Sequence, residues 1–207
     1  MNTKIENLIK KFAKLPRVGG RGGQRIVLSL LQDKTGKAEQ LAQSLLDTIS
    51  SVKPCDTCGC LTEQSSIINH QSSILCEYCM DANRQNGQLC IVRDLGDVWT
   101  FEKAGVFRGR YHIIGGLLSA AAGVTPDDLH IKNLDVRIKD ENITEIIFAL
   151  PNTIEGKTTQ HLIISNLQLS ISNLKITELA SGIPLGGDLD YVDDGTLSIA
   201  FGGRKNI

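Results

Sequence analysis

The sequence predicts an α/β protein in which a mainly parallel, helix-covered sheet follows two small modules, one helical and one built on cysteines. Three observations carry that reading. Beyond residue 87, strand-length apolar runs alternate with helix-length stretches, the pattern of βαβ units. Cys55-Asp56-Thr57-Cys58 and Cys76-Glu77-Tyr78-Cys79 are two matched C-x2-C pairs separated by seventeen residues. Ahead of them, short amphipathic stripes flank the glycine-rich run Val18-Gly19-Gly20-Arg21-Gly22-Gly23.

Residues 3–15 space Ile5, Leu8, Ile9, Phe12 and Leu15 at three and four, which predicts a helix ended by Pro16. A second short helix is expected from Gln24 to Leu31, entered through a glycine-rich turn. A third runs from about Ala38 to Val52 with Leu41, Leu45, Leu46 and Ile49 on one face. Pro54 opens the cysteine module, which closes near Met80. Strands follow at Gln88–Arg93, Tyr111–Ile114, Glu145–Leu150 and Lys175–Leu179, with helices at Val98–Ala104 and Thr158–Leu169. Ligands of such sheets gather at the carboxyl ends of the strands, which directs attention to Asp94–Asp97, Gly115–Thr125 and Pro151–Thr159.

The 207 residues suffice for one substantial core plus one or two small modules. No apolar run approaches a membrane span. The net charge of −1 conceals a split: residues 1–53 carry ten Lys/Arg against four acids, so that segment is +6 and the remainder −7. A basic arm on an acidic body points the first fifty residues at a polyanion, against the plainer reading of a solvated helical surface.

Two residues between thiolates let both sulfurs of a pair face one ion from a tight turn, and two such knuckles complete a closed tetrahedron. Cys55, Cys58, Cys76 and Cys79 therefore read as ligands of one structural zinc ion per chain. Two disulfides or a redox C-x2-C are the alternatives. No secretory signal precedes the cysteines, so a reducing cytoplasm is expected. Cys60 stands close enough to compete as a ligand. Cys90, in Leu89-Cys90-Ile91-Val92, reads as a buried strand thiol.

In Leu15–Arg25, a glycine-rich hairpin between helices offers backbone N–H groups and a helix N-terminus to a phosphate oxygen. Arg21 and Arg25, four apart, share a helical face, and Arg17 and Lys14 add charge beside the turn. Such a hairpin reads backbone, so DNA binding should be sequence-independent and salt-sensitive. The run Pro151-Asn152-Thr153-Ile154-Glu155-Gly156-Lys157-Thr158 imitates a phosphate-binding P-loop, but Pro151 stands where the motif needs glycine, and proline has no N–H to give. Metal-assisted phosphoryl transfer needs clustered carboxylates. Asp94, Asp97 and Glu155 lie near strand ends, but Arg93 intrudes and no Asp-x-Asp follows Leu150. His112, His130 and His161 lack ligand spacing and read as surface or packing residues.

The Leu15–Arg25 hairpin, the four cysteines, Gly105-Val106-Phe107-Arg108-Gly109-Arg110-Tyr111-His112, Asn152-Thr153-Ile154-Glu155-Gly156 and Gly182-Ile183-Pro184-Leu185-Gly186-Gly187-Asp188-Leu189-Asp190-Tyr191 occur in the order of a known family. Over nearly its whole length the chain resembles the bacterial recombination mediator family RecR. The resemblance implies a helix–hairpin–helix region at 1–53, a four-cysteine zinc finger at 54–81, a Toprim-type parallel α/β domain at 82–170, and an oligomerisation segment at 171–207 that completes subunit contacts. It implies a ring, expected to be a tetramer, that encircles duplex or gapped DNA. The expected partners are RecO and RecF, which help load RecA where single-strand-binding protein sits. By position, Arg21 replaces the family's hairpin lysine and Arg25 matches its arginine. Arg17 replaces the first hairpin glycine. Arg93 stands for the Toprim glutamate and Ala122 for a nearby aspartate, which puts acidic partner contacts through Asp94, Asp97 or Glu155 in question. The expectation is a non-catalytic clamp. A zinc-stapled interaction adaptor and a Toprim metal-dependent phosphoryl-transfer enzyme are the alternatives.

Overall fold

The computed structural model describes residues 3–63, 73–168 and 173–204. The chain forms two compact units, Met1–Lys53 and Pro54–Ile207.

The first unit holds α1 (Thr3–Ala13), α2 (Gly19–Gln32) and α3 (Lys37–Ser51). The glycine-rich stretch expected as a turn is instead the opening of α2, five residues earlier than the apolar pattern suggested. Packing explains this. Gly23 is buried, and a Cβ there would come within 2.8 Å of the Ala13 amide nitrogen and 3.0 Å of the Ile9 carbonyl oxygen. Glycine thus lets the backbone of α2 lie directly on α1, a contact that outweighs its cost of about 1 kcal/mol in helix propensity. The turn itself is confined to residues 14–18. Arg17 adopts φ +64° and Gly19 φ +62°, both left-handed. On α3 the expected apolar stripe is present, but Leu41, Leu45, Leu46 and Ile49 are all exposed and no residue of the helix is buried.

The second unit contains β1's last residue (β1 is Val52–Pro54), β2 (Leu61–Glu63) and the short helix α4 (Glu77–Met80). Its body is a four-stranded parallel sheet of β3 (Gln88–Val92), β4 (Arg110–Ile113), β5 (Glu145–Ala149) and β6 (Lys175–Glu178), in the order β4-β3-β5-β6. Cys90 pairs with Tyr111 on one side and Ile147 on the other. Between the strands run α5 (Leu95–Ala104), α6 (Leu134–Asp140) and α7 (Ile154–Gln168), and α8 (Asp194–Gly202) follows β6.

Alternation along the strands divides the core in two. Leu89, Ile91, Ile146 and Phe148 pack with Leu134 and Ile138 of α6 and with Ile163 and Leu167 of α7. On the other face, Cys90, Val92, Tyr111, Ile113 and Ala149 pack with Val98 of α5, with Phe107, and with Cys55, Cys58, Cys60, Cys76 and Cys79. The cysteine module and α5 together cover this face of β3, β4 and β5.

Two helices begin earlier than expected, and α6 and α8 were not anticipated. Asp94 caps α5 by accepting from the N–H groups of Gly96 and Asp97, while the Asp97 carboxylate reaches back to the Asp94 N–H, a closed capping box. At the start of α7, Gly156 is buried and a Cβ would collide with the Pro151 carbonyl oxygen, so the chain turns into the helix there and not at Thr158. The expected helix end at Leu169 lies outside the described residues. In the C-terminal segment, Leu185 and Tyr191 are fully exposed and no described residue of α8 is buried.

His112 is fully buried on β4. Arg137 Nη1 can only donate, so at 2.9 Å it fixes His112 Nδ1 as acceptor. Nε2 therefore carries the proton and donates to the His130 carbonyl at 2.6 Å. Desolvation, aided by the charge of Arg137, pushes the ring's pKa down to about 3. Its unfolded value is near 6.5, so below that pH the unfolded chain takes up a proton that the folded one refuses. Stability should accordingly be complete at pH 7 and fall on acidification, by about 2 kcal/mol at pH 5. Equilibrium unfolding of the metal-loaded protein should show this slope, and His112→Gln should flatten it.

Candidate metal centre and nucleic-acid interface

The first knuckle is closed by three short bonds. Cys55 N donates to the Cys60 carbonyl at 2.7 Å, Gly59 N to the Cys55 carbonyl at 2.9 Å, and Cys60 N to Cys58 Sγ at 3.4 Å. Gly59 has φ +76°, and a Cβ would meet His130 Nδ1 at 2.8 Å, so both conformation and space require glycine. In the second knuckle Cys76 caps α4, and its carbonyl accepts from Cys79 N at 3.1 Å and Met80 N at 3.0 Å. Asp56 joins the two ends of the intervening loop. Its N–H donates to the Ile74 carbonyl at 2.9 Å and its carboxylate accepts from Ile74 N at 2.8 Å.

This framework brings the sulfurs of Cys55, Cys58, Cys76 and Cys79 within 4.8 Å of one another, all buried, with Cys58 and Cys76 at 3.4 Å. Four thiolates at about 2.3 Å from a tetrahedral ion stand about 3.8 Å apart, so the quartet fits a divalent metal that favours soft ligands, zinc included. Four sulfurs converging on one point suit a single shared ion better than two separate disulfides, and the structure forms none. Cys60 lies outside the quartet, its sulfur turned to the Leu61 carbonyl at 3.7 Å. Burial pushes the Cys90 thiol up to about 12, consistent with an inert core residue. Both knuckles are bolted to β4. Ile113 N donates to the Cys58 carbonyl at 2.8 Å, and Arg110 Nη2 to that of Cys79 at 3.2 Å.

In the first unit, Arg21 and Arg25 project from α2 one turn apart, both exposed. Neither they nor Arg17 and Lys14 form an ion pair among the described residues, so four cations stand free around one turn. Arg17 and Arg25 border a groove of about 600 Å³ floored by Val18, Gly22 and Ile26.

The acids at the strand ends are differently employed. Arg93 Nε lies 2.8 Å from Asp94, and its Nη2 lies 3.7 Å from Asp97. Burial works against the Asp94 charge, but Arg93 and the N–H groups of α5 outweigh it and hold the carboxyl below its usual range. Glu155 stands apart, exposed in the first turn of α7. Sequence reasoning missed the capping role of Asp94 and Asp97, although Asp-x-x-Asp before a helix signals it. It also missed Arg110, Arg137 and Glu141; the i,i+4 spacing of Arg137 and Glu141 could have signalled their pair, but nothing local discloses Arg110 arriving from β4.

Family models match along the chain: the RecR helix-hairpin-helix at residues 5–49, the Toprim domain at 87–180 and the RecR C-terminal region at 182–205. Curated relatives extend over the whole length. The recombination protein RecR of Cereibacter sphaeroides is 43% identical over 203 residues, covering 98% of this chain and 96% of that protein. That of Ruegeria is 42% identical over 206 residues, covering 100% and 98%. That of Maricaulis maris is 41% identical over 203 residues, covering 98% and 96%. The chain belongs to the RecR family of recombination proteins. The helix–hairpin–helix and Toprim assignments that the resemblance implied agree with these matches. No helix among the described residues is long and apolar enough to cross a membrane.

The quartet and its bystander separate experimentally. Cys76→Ser should release the metal and destabilise the sheet body that shares its core, whereas Cys60→Ser should retain one metal per chain. Metal content of the purified variants, read with thermal unfolding, checks both.

Proposed function

We propose that this RecR-family protein is a non-catalytic DNA clamp of recombinational repair, stapled by one structural zinc per chain. The observation that carries the reading is the group of unpaired cations, Lys14, Arg17, Arg21 and Arg25, around a backbone-presenting turn. Guanidiniums free of acidic partners meet phosphates without first breaking an ion pair, and nothing in their placement reads a base edge. In this proposal the protein works as a homo-oligomer, a ring-shaped tetramer, in which weak contacts from several hairpins add by avidity. The region 1–53 supplies DNA contacts, 54–81 the zinc finger, 82–170 the Toprim scaffold and 171–207 the contacts between subunits. The exposed apolar side chains of α3 and α8 support a need for neighbouring copies.

The proposed partners are RecO and RecF, and the proposed outcome is loading of RecA onto gapped or protein-coated DNA in the cytoplasm. Glu155 is the exposed acid available for such a contact. Asp94 and Asp97 are held by Arg93 and by the cap of α5. A non-enzymatic role agrees with that pairing, because a carboxylate neutralised by arginine is a poor ligand for a catalytic cation.

Replacing Arg21 and Arg25 by alanine should weaken binding to gapped duplex and lower the slope of log K against log salt by about 1.8, or about 0.9 per phosphate contact. Fluorescence anisotropy across a salt series measures both quantities; unchanged binding with folding and assembly intact would refute the proposal. Arg17→Gly separates stability from function. Relief of the left-handed conformation should stabilise the helical unit by about 1 kcal/mol, while DNA binding weakens and the salt slope falls by about 0.9.

A further inference from the structure

Among the described residues three buried side-chain atoms lack a hydrogen-bond partner, Arg110 Nε, Arg137 Nη2 and Glu141 Oε2, and all belong to one cluster. Glu141 Oε1 accepts from Arg137 Nε at 2.9 Å. Arg110 Nη1 lies 3.0 Å from Glu141 Oε2, near enough for Coulomb attraction but out of line for a hydrogen bond. Two guanidiniums thus share a single carboxylate below the surface, and Arg137 keeps an unpartnered N–H at Nη2. The neutral imidazole of His112, fixed as acceptor from Arg137, adds no balancing charge. The Arg137 side chain is only 7% exposed, so bulk water does little to solvate it.

Arg137, Glu141 and His112 line a cavity of about 390 Å³, together with His130, Lys132 and Asn133. Lys132 stands exposed at its rim, 3.1 Å from an equally exposed Asp127. Asp56 and Asp140 also line the cavity. The Asp56 carboxylate already accepts from Ile74 N, and Asp140 is exposed. Buried polar groups in native proteins are almost always satisfied, and the volume falls within the range of small-ligand sites.

We propose that this cavity, between the first cysteine knuckle and α6, binds a small anion whose carboxylate or phosphate group is drawn by the unpartnered Arg137 Nη2 and by Lys132. Asp56 and Asp140 suit a hydroxyl or ammonium group on the same ligand. The site lies in the Pro54–Ile207 unit, and its occupancy is independent of DNA binding by the helical unit. A ligand here would touch Arg137 and Thr57 at once, and so would brace the metal module against the sheet.

Isothermal titration of the full-length, metal-loaded protein at constant ionic strength tests this, with orthophosphate in one arm and glutamate in the other. The expected result is saturable binding of at least one of the two anions at one site per chain, and the tighter arm identifies the anionic group. Lys132→Ala should weaken it about threefold, as loss of an exposed charge does. Arg137→Lys should weaken it about tenfold through loss of the guanidinium fork. The Arg21→Ala/Arg25→Ala protein should bind the anion as the parent does, even if it loses DNA. Should Arg137→Lys fail to fold, Lys132→Ala decides. Absence of binding in both arms overturns the proposal. So does binding that survives Lys132→Ala unchanged, or binding that vanishes with Arg21 and Arg25.

Discussion

The face of the sheet formed by Cys90, Val92, Tyr111 and Ile113 has no second helix layer of its own. Beyond α5, its cover is the buried cysteine quartet with Cys60, so metal ligands and strand residues occupy a single hydrophobic core. Several features of the Pro54–Ile207 unit follow from this arrangement. The knuckles must be held rigidly against β4, which the Ile113–Cys58 and Arg110–Cys79 bonds accomplish. Gly59 must be glycine because His130 and Ile113 press against it from the sheet side. A metal held by these four cysteines would act as the keystone of a domain face and not as an independent finger.

Aromatic packing extends the same core outward. Tyr111 lies edge-on to Tyr78 and Phe107, and its hydroxyl donates to Glu102 at 2.6 Å. Glu102 in turn accepts from Arg84 at 2.6 and 3.0 Å, while Arg84 stacks over Tyr78. The second knuckle, α5 and β4 are therefore joined by one polar chain whose members satisfy one another. A network of this kind is specific because each deletion strands a buried charge.

The two units divide their charge as they divide their architecture. In the helical unit close backbone contact at Gly23 leaves the outer face of α2 to cations. In the sheet unit Arg84, Arg110 and Arg137 turn inward, Arg84 onto Glu102 and the other two onto Glu141, while Arg93 pairs with Asp94 nearer the surface. The inward arginines explain how an acidic body can hold several guanidiniums away from solvent.

Much of this was legible from residue spacing. The C-x2-C pairs named the ligand quartet because ligation at a knuckle is a local property of four residues. Strand-length apolar runs alternating with helices named all four strands of the parallel sheet, and a net charge of +6 over residues 1–53 marked the basic surface. What spacing could not disclose depends on residues far apart in the chain. Helix α2 begins among glycines because α1 lies against Gly23. Asp94 and Asp97 are spent on a cap and on Arg93. His112 stays neutral because burial desolvates it and Arg137, twenty-five residues away, adds its charge beside the ring. Local pattern fixes what each segment is able to form, since periodicity and ligand spacing act within a turn or a strand. Only the tertiary structure decides which neighbours arrive, and desolvation and close backbone contact are set by those neighbours.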